Sequence, residues 1–166
     1  MKIAIIDYNA GNVQSVLFAL NRIGISAILT NDHDQIKGAD KVIFPGVGEA
    51  KNTMAYLHKM GLTNIIRNLK QPTLGICLGM QLLCQHSEEG DTECLNIFPM
   101  KVKKFVATEV GQKIPHIGWN KIKFEQNTPL FQKNQSGDYT YFVHSYYVEK
   151  GIYLSLIHIS EPTRPL

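Results

Sequence analysis

Thr73-Leu-Gly-Ile-Cys77-Leu-Gly-Met-Gln81-Leu-Leu-Cys84 sets a cysteine midway between two glycines, and no other stretch so narrows the folds open to this chain. Residues 73–76 read as the end of a short buried strand and residues 79–86 as a helix with one apolar side. The chain must therefore turn from one into the other within residues 75–79. Glycines two residues before and two after the apex remove the Cβ atoms that would collide as the chain reverses, which pushes the Cys77 side chain out of the sheet. At the start of the following helix, the dipole and the unpaired N–H groups favour an anion, which suits a cysteine nucleophile. The Leu78 N–H then points where an oxyanion forms during attack on a carbonyl. The plainer alternative is that Cys77 is a small apolar residue in a glycine-rich turn, as free cysteines often are. Cys84, seven residues on, reads as a core residue and Cys94 as a loop residue.

The rest of the first half repeats the strand-then-helix pattern. Residues 2–7 form an apolar run of strand type, residues 8–12 a turn, and Val13, Val16, Leu17, Leu20 and Ile23 recur at helical spacing before Gly24, a natural stop. Residues 26–30 and 41–44 read as further strands, and residues 54–59 and 63–69 as helical. Such alternation predicts an α/β fold with a mainly parallel sheet covered by helices on both faces. In such sheets ligands sit beyond the carboxyl ends of the strands, where the 8–12 turn and the Cys77 elbow both fall. After the elbow helix the pattern turns β-rich, with strands at residues 101–106, 117–124 and 139–148 and a turn at 135–138, predicting an antiparallel portion. Pro45-Gly-Val-Gly48 follows the third strand. It reads either as an ordinary proline-glycine turn or as a backbone free to aim N–H groups at a substrate carbonyl.

Composition bounds the function. The 166 residues, 44% hydrophobic and 19% charged, suit one globular domain with a substantial core. The three cysteines show no C-x-x-C spacing, and there is neither a secretory leader nor an apolar run of about 18 residues, so a reducing, cytoplasmic setting without membrane insertion is expected. A net charge of +3 is mild, and Lys101-Val-Lys-Lys104 reads as the solvated face of a strand rather than a nucleic-acid patch. No cofactor or metal is expected.

Gly-Ile-Cys-Leu-Gly-Met-Gln resembles the nucleophile signature of class I (triad) glutamine amidotransferases, which hydrolyse glutamine to glutamate and ammonia for a partner synthase. Further motifs are collinear with it: Asp7-Tyr8 with Gly11-Asn12, Pro-Gly-Val-Gly, Pro115-His-Ile-Gly-Trp-Asn120 and Tyr141-Phe-Val-His-Ser-Tyr-Tyr147. Together they resemble the glutaminase subunits of imidazole glycerol phosphate synthases, from Met1 to about Gly151. The resemblance implies a class I amidotransferase-like fold and a Cys77 that is acylated by glutamine. It also implies an oxyanion site made by the backbone of Val47 and Gly48 with the Leu78 N–H, and a glutamine pocket lined by Gly46, Gly48 and Gln81. Ser145 and Tyr146 match the segment that holds the glutamine carboxylate; His144 beside them counts with that group but not as a base. Asn12 and Trp119 match residues facing the partner, a (β/α)8-barrel cyclase subunit that would use the ammonia in histidine biosynthesis. Glutaminases of anthranilate or guanylate synthesis lack the Gly-Trp-Asn and His-Ser-Tyr-Tyr combination. A non-catalytic binding domain of the same fold is the other alternative. Asn9 stands where relatives carry glycine, and Glu49-Ala50 where a small residue and an aromatic are common.

The end of the chain departs from that pattern. Residues 1–151 are expected to form the amidotransferase domain, incomplete in its last strands. Residues 152–166 do not resemble the family, and Ser155-Leu-Ile-His-Ile-Ser-Glu-Pro-Thr-Arg-Pro165 resembles translated sequencing-adapter sequence. The His-Pro-Glu segment that supplies the family's base and its orienting carboxylate is not in this sequence, so the chain as written is expected to be a poor glutaminase. Loss of a base typically costs ~10²–10⁴-fold. Replacing residues after Gly151 with a relative's segment containing His-Pro-Glu is therefore expected to restore ammonia release in the presence of a cyclase. Equal activity in the unaltered chain, lost in His158→Ala, would show instead that the tail is functional.

Overall fold

A computed structural model describes residues 1–9, 12–107, 113–121 and 138–149. The chain divides into two compact units, Met1–Lys103 and Lys104–Leu166.

The first unit is built on a four-stranded parallel sheet. Its strands are β1 (Ile3–Ile6), β2 (Ala27–Thr30), β3 (Lys41–Phe44) and β4 (Thr73–Gly75), in the order β2-β1-β3-β4. Register pairs Ile3 with Ala27 and with Lys41, and Phe44 with Gly75. All four residues of β1 are buried, as expected of a strand covered on both faces, and their side chains part by the two-residue period. Ala4 and Ile6 join Val42 and Phe44 on one face, packed with Ile36, Met54, Leu57, Leu62, Ile66, Leu78 and Leu82. Ile3, Ile5 and Ile43 face the other way, against Val13, Val16, Leu17 and Leu20. The helices supplying these residues are α1 (Val13–Arg22), α2 (His33–Lys37), α3 (Ala50–Lys59), α4 (Leu62–Arg67) and α5 (Leu78–Leu83).

Local chemistry sets most of the boundaries. Asn12 caps α1 by accepting from the Ser15 N–H at 3.3 Å, and Gly24 follows the helix at φ +73°, the left-handed stop that its sequence position predicts. Ile23, expected on the apolar stripe, is instead the exposed C-cap. The short helix α2 was not expected, since five residues with one buried side chain carry no periodicity; its signal is Asp32, whose Oδ1 accepts from the Asp34 and Gln35 N–H groups. The elbow helix ends at Leu83, not His86. The carbonyls of Leu82, Leu83 and Cys84 accept N–H groups from Leu95, Asn96, Ile97 and Phe98, so a distant segment, not a local glycine or proline, satisfies the helix end. The chain then forms β5 (His86–Ser87), β6 (Thr92–Glu93) and β7 (Lys101–Lys104). β6 pairs antiparallel with β5, but β7 pairs parallel with it, so the expected antiparallel portion does not begin at residue 101. In β7, Val102 is buried while Lys101 and Lys104 are exposed, as expected of a solvated strand face.

In the second unit β8 (His116–Lys121) and β9 (Tyr139–His144) form an antiparallel pair, with Trp119 opposite Tyr141 and His116 opposite His144. The strand expected over residues 139–148 is broken at Ser145 and resumes as β10 (Tyr146–Val148). The expected turn at 135–138 and the end of the 117–124 strand lie outside the described residues.

The core thiols give the fold a pH signature. Cys84 and Cys94 are free and buried, and burial first, with neighbouring negative charge second, pushes them from an ordinary value of 9.0 up to about 12 and about 11. The folded protein therefore holds these protons more tightly than the unfolded chain. Their contribution is whole below pH 9 and declines as pH rises through about 11 for Cys94 and about 12 for Cys84, each group adding a slope of at most ~1.4 kcal/mol per pH unit. Under reducing conditions the melting temperature is expected to fall over that window, and less so in Cys84→Ala. An equally steep fall in the variant would contradict this.

Candidate active site

At the carboxyl end of β4 the chain reverses as expected of an elbow. Cys77 is the exposed N-cap of α5, at φ 52° and ψ −113°, a conformation that costs a non-glycine residue energy and persists only where its surroundings dictate it. The flanking glycines dictate it through contacts as well as through turn geometry. A Cβ at Gly75 would lie 2.7 Å from the Met80 Cα and 2.8 Å from its nitrogen. A Cβ at Gly79 would fall on the Phe44 carbonyl and lie 3.1 Å from the Pro45 oxygen. The second glycine thus lets the start of α5 pack directly on the backbone leaving β3.

That backbone is the 45–48 loop. Pro45 and Gly46 are buried, whereas Val47 and Gly48 are exposed, and Gly48 lies at φ +126°, open to glycine and costly to other residues. A Cβ at Gly46 would lie 2.8 Å from both the Gly79 nitrogen and the Leu78 Cβ, and one at Gly48 would touch the Leu78 side chain at 3.9 Å. The structure thus brings Gly46, Gly48, Leu78 and Cys77 together, from two segments some thirty residues apart in sequence. The Leu78 N–H donates to the Gly46 carbonyl at 3.4 Å. Because the peptide is trans, the Val47 N–H on that unit faces away from Leu78, so the two amides do not converge in this conformation. For the Leu78 N–H to serve an oxyanion, this long bond must first be given up.

Gln81 lies one helical turn beyond Cys77 and is buried. Its Nε2 donates to the Ser87 Oγ at 2.7 Å and to the Glu89 Oε2 at 2.9 Å, and that carboxylate also accepts the Ala50 N–H at 3.1 Å. A carboxylate only accepts, so Glu89 fixes which end of the Gln81 amide faces it and leaves the carbonyl oxygen to face elsewhere. Sequence reasoning missed Ser87, which ends the two-residue strand β5, and Glu89, in the following turn whose only signal is Gly90. It also gave no role to Tyr8, whose buried hydroxyl donates to the Pro45 carbonyl.

The other expected site residues are divided between the two units. Asn12 is exposed at the start of α1 in the first unit. His144, Ser145 and Tyr146 lie in the second, where the His144 Nδ1 bonds the Tyr146 carbonyl at 2.7 Å and the Ser145 carbonyl accepts the Phe105 N–H at 2.9 Å. Burial holds His144 below the ordinary histidine range, so it is neutral at pH 7, and its buried Nε2 has no partner among the described residues. Trp119 is 66% exposed, edge-on to Tyr141 with ring centroids 5.5 Å apart. Among the described residues no hydrogen bond joins the Cys77 sulfur to a histidine, and no group of three or more His, Cys, Asp or Glu is placed to hold a metal. His86 instead pairs at 2.9 Å with Asp91, an exposed partner.

A cysteine at a strained strand-to-helix elbow, backed by a glycine loop at the edge of a parallel sheet, defines a class, and the family model for glutamine amidotransferase class-I matches residues 4–162. The chain belongs to that family. Within it, the chain is 53% identical over 148 residues to imidazole glycerol phosphate synthase subunit HisH of Bacteroides thetaiotaomicron, covering 89% of this chain and 75% of that one. The HisH subunit of Idiomarina loihiensis is 47% identical, covering 89% and 74%. A crystal structure of a glutamine amidotransferase superposes with a TM-score of 0.65 at 16% identity, covering 89% of this chain and 74% of that one. A Thermoplasma acidophilum protein described as a GMP synthase component gives a TM-score of 0.62 at 20% identity, covering 89% and 66%; these two likenesses are of fold alone.

The glycine contacts are testable by stability. Gly79→Ala places a methyl group on the Phe44 carbonyl and is expected to cost at least about 3 kcal/mol, the upper end of overpacking. Gly24→Ala meets open space and pays only for its positive φ, about 1–2 kcal/mol. Urea denaturation that ranks the two the other way round would show that α5 does not pack rigidly on β3.

Proposed function

We propose that this chain is the glutaminase subunit of an imidazole glycerol phosphate synthase, acting in the cytoplasm as a heterodimer with a cyclase subunit. The observation that carries the reading is the exposed Cys77 on its elbow beside the 45–48 loop, in a chain 53% identical to a HisH subunit. In this reading the Cys77 sulfur attacks the carboxamide carbon of glutamine, and the carbonyl π electrons move onto oxygen. Collapse of that intermediate breaks the C–N bond as the nitrogen takes up the proton given up by the Cys77 thiol, releasing ammonia and leaving a γ-glutamyl thioester. Water then adds to its carbonyl, the C–S bond breaks, and a proton from that water returns to the sulfur as glutamate forms. The resemblance assigns the oxyanion to the Leu78 N–H and the Val47 and Gly48 backbone, which requires the Leu78–Gly46 bond to open and the Gly46–Val47 peptide to turn over. It assigns glutamine contacts to Gly46, Gly48 and Gln81 and, by sequence match alone, to His144, Ser145 and Tyr146. Asn12 and Trp119 would face the cyclase, to which a (β/α)8 barrel is assigned by resemblance. The exposure of both agrees with that assignment. No helix among the described residues is long and apolar enough to cross a membrane.

Chemical labelling tests the assignment without requiring turnover. A chloroketone analogue of L-glutamine is expected to alkylate Cys77 alone, with L-glutamine protecting it, since Cys84 and Cys94 are buried and their thiols are held protonated. Peptide mapping that finds equal modification of Cys84 or Cys94, or modification that survives in Cys77→Ala, would refute it.

A further inference from the structure

Tyr8 closes the carboxyl end of β1, is 2% exposed, and meets the Phe44 ring edge-on with centroids 5.5 Å apart. Its hydroxyl donates to the carbonyl of buried Pro45, the residue that starts the 45–48 loop. A Cβ at Gly46 would fall on that same hydroxyl, so the glycine that admits the start of α5 also admits Tyr8. Burial first, and negative charge on Cys77 second, oppose loss of the phenolic proton. Both keep it a donor across the working pH range. The end of β1 and the loop therefore meet at one oxygen atom, and the start of α5 packs on the same loop at Gly46.

We propose that Tyr8 is a positioning residue of the glutamine site, its hydroxyl holding the Pro45 carbonyl and thereby setting where the 45–48 loop stands relative to the Cys77 elbow. The proposal rests on the glutaminase reading above. Tyr8 has a single hydroxyl proton and Pro45 receives it, so Tyr8 acts on the loop and not as a proton donor to the sulfur. A phenylalanine fills the same volume but leaves a buried carbonyl without its donor, so the loop is released while the core stays packed.

The test compares two electrophiles on the full chain. Cys77 alkylation by the chloroketone analogue of L-glutamine requires the loop in place, whereas alkylation by iodoacetamide requires only an exposed thiol. In Tyr8→Phe the ratio of the two rates is expected to fall about 10-fold, with the iodoacetamide rate and its pH profile unchanged, since misplacement of a positioning group is costly only to the oriented reaction. A fluorotyrosine at position 8, which keeps the donor, is expected to preserve the ratio. A purely structural tyrosine would lower the melting temperature and leave the ratio alone, which would overturn the proposal. A shifted iodoacetamide pH profile would overturn it too, by showing that the hydroxyl acts on the thiol. If the unaltered chain reacted equally with the D- and L-chloroketones, the glutaminase reading would fall, and this role with it; stereoselectivity retained in full by Tyr8→Phe would defeat only the role.

Discussion

The site depends on one close approach, that of the first turn of α5 to the backbone leaving β3. Gly79 sits where any side chain would strike the Phe44 carbonyl, and Gly46 sits where any side chain would strike Gly79 and Leu78. With both glycines in place, two backbones touch with nothing between them, and the 45–48 loop is seated beside the Cys77 elbow. The positive φ of Cys77 follows from the same contact, because a chain leaving β4 can reach that position only by turning sharply. The strain is local; the buried packing of Leu78, Leu82 and Phe44 beneath it supplies the compensation.

Polar ties then hold the two edges of this contact. Glu89 links Gln81 on α5 to the Ala50 N–H that opens α3, so the segment after the loop and the segment after Cys77 share one carboxylate. Ser87 accepts from both the Gln81 amide and the Glu89 N–H, which keeps that carboxylate turned inward. On the opposite side Tyr8 holds Pro45. The dipole of α5 is a small part of this arrangement: the helix has only six residues, so its N-terminal field is weaker than that of a long helix. Exposure of the sulfur and its placement matter more.

Much of this was legible in the chain because its signals are local. Gly-x-Cys-x-Gly marks the elbow, the alternation of apolar runs gives the parallel strands β1 to β4, and Gly24 gives a helix stop. What the sequence concealed is what distant segments impose. Helix α5 stops at Leu83 because residues 95–98 take its last carbonyls, and β5 and β6 are too short for any period to show. The parallel pairing of β7 is likewise set by its distant partner, since a strand run carries no mark of the direction of its neighbour. The hydroxyl of Tyr8 and the carboxylate of Glu89 look like ordinary residues in sequence and gain their roles only through partners 37 and 39 positions away.

If this contact defines an acyl-transfer site, then a γ-glutamyl ester whose leaving group needs no proton must load the nucleophile even where base catalysis is weak. Peptide mapping of the chain after brief exposure to the L-γ-glutamyl p-nitrophenyl ester and acid quench measures this directly. The account predicts a γ-glutamyl group on Cys77, formed faster from the L- than the D-ester and diminished in a Gly46→Ala variant that remains folded. Acyl groups on Cys84 or Cys94 at comparable levels, or loading of Cys77 indifferent to both stereochemistry and the Gly46 substitution, would contradict it.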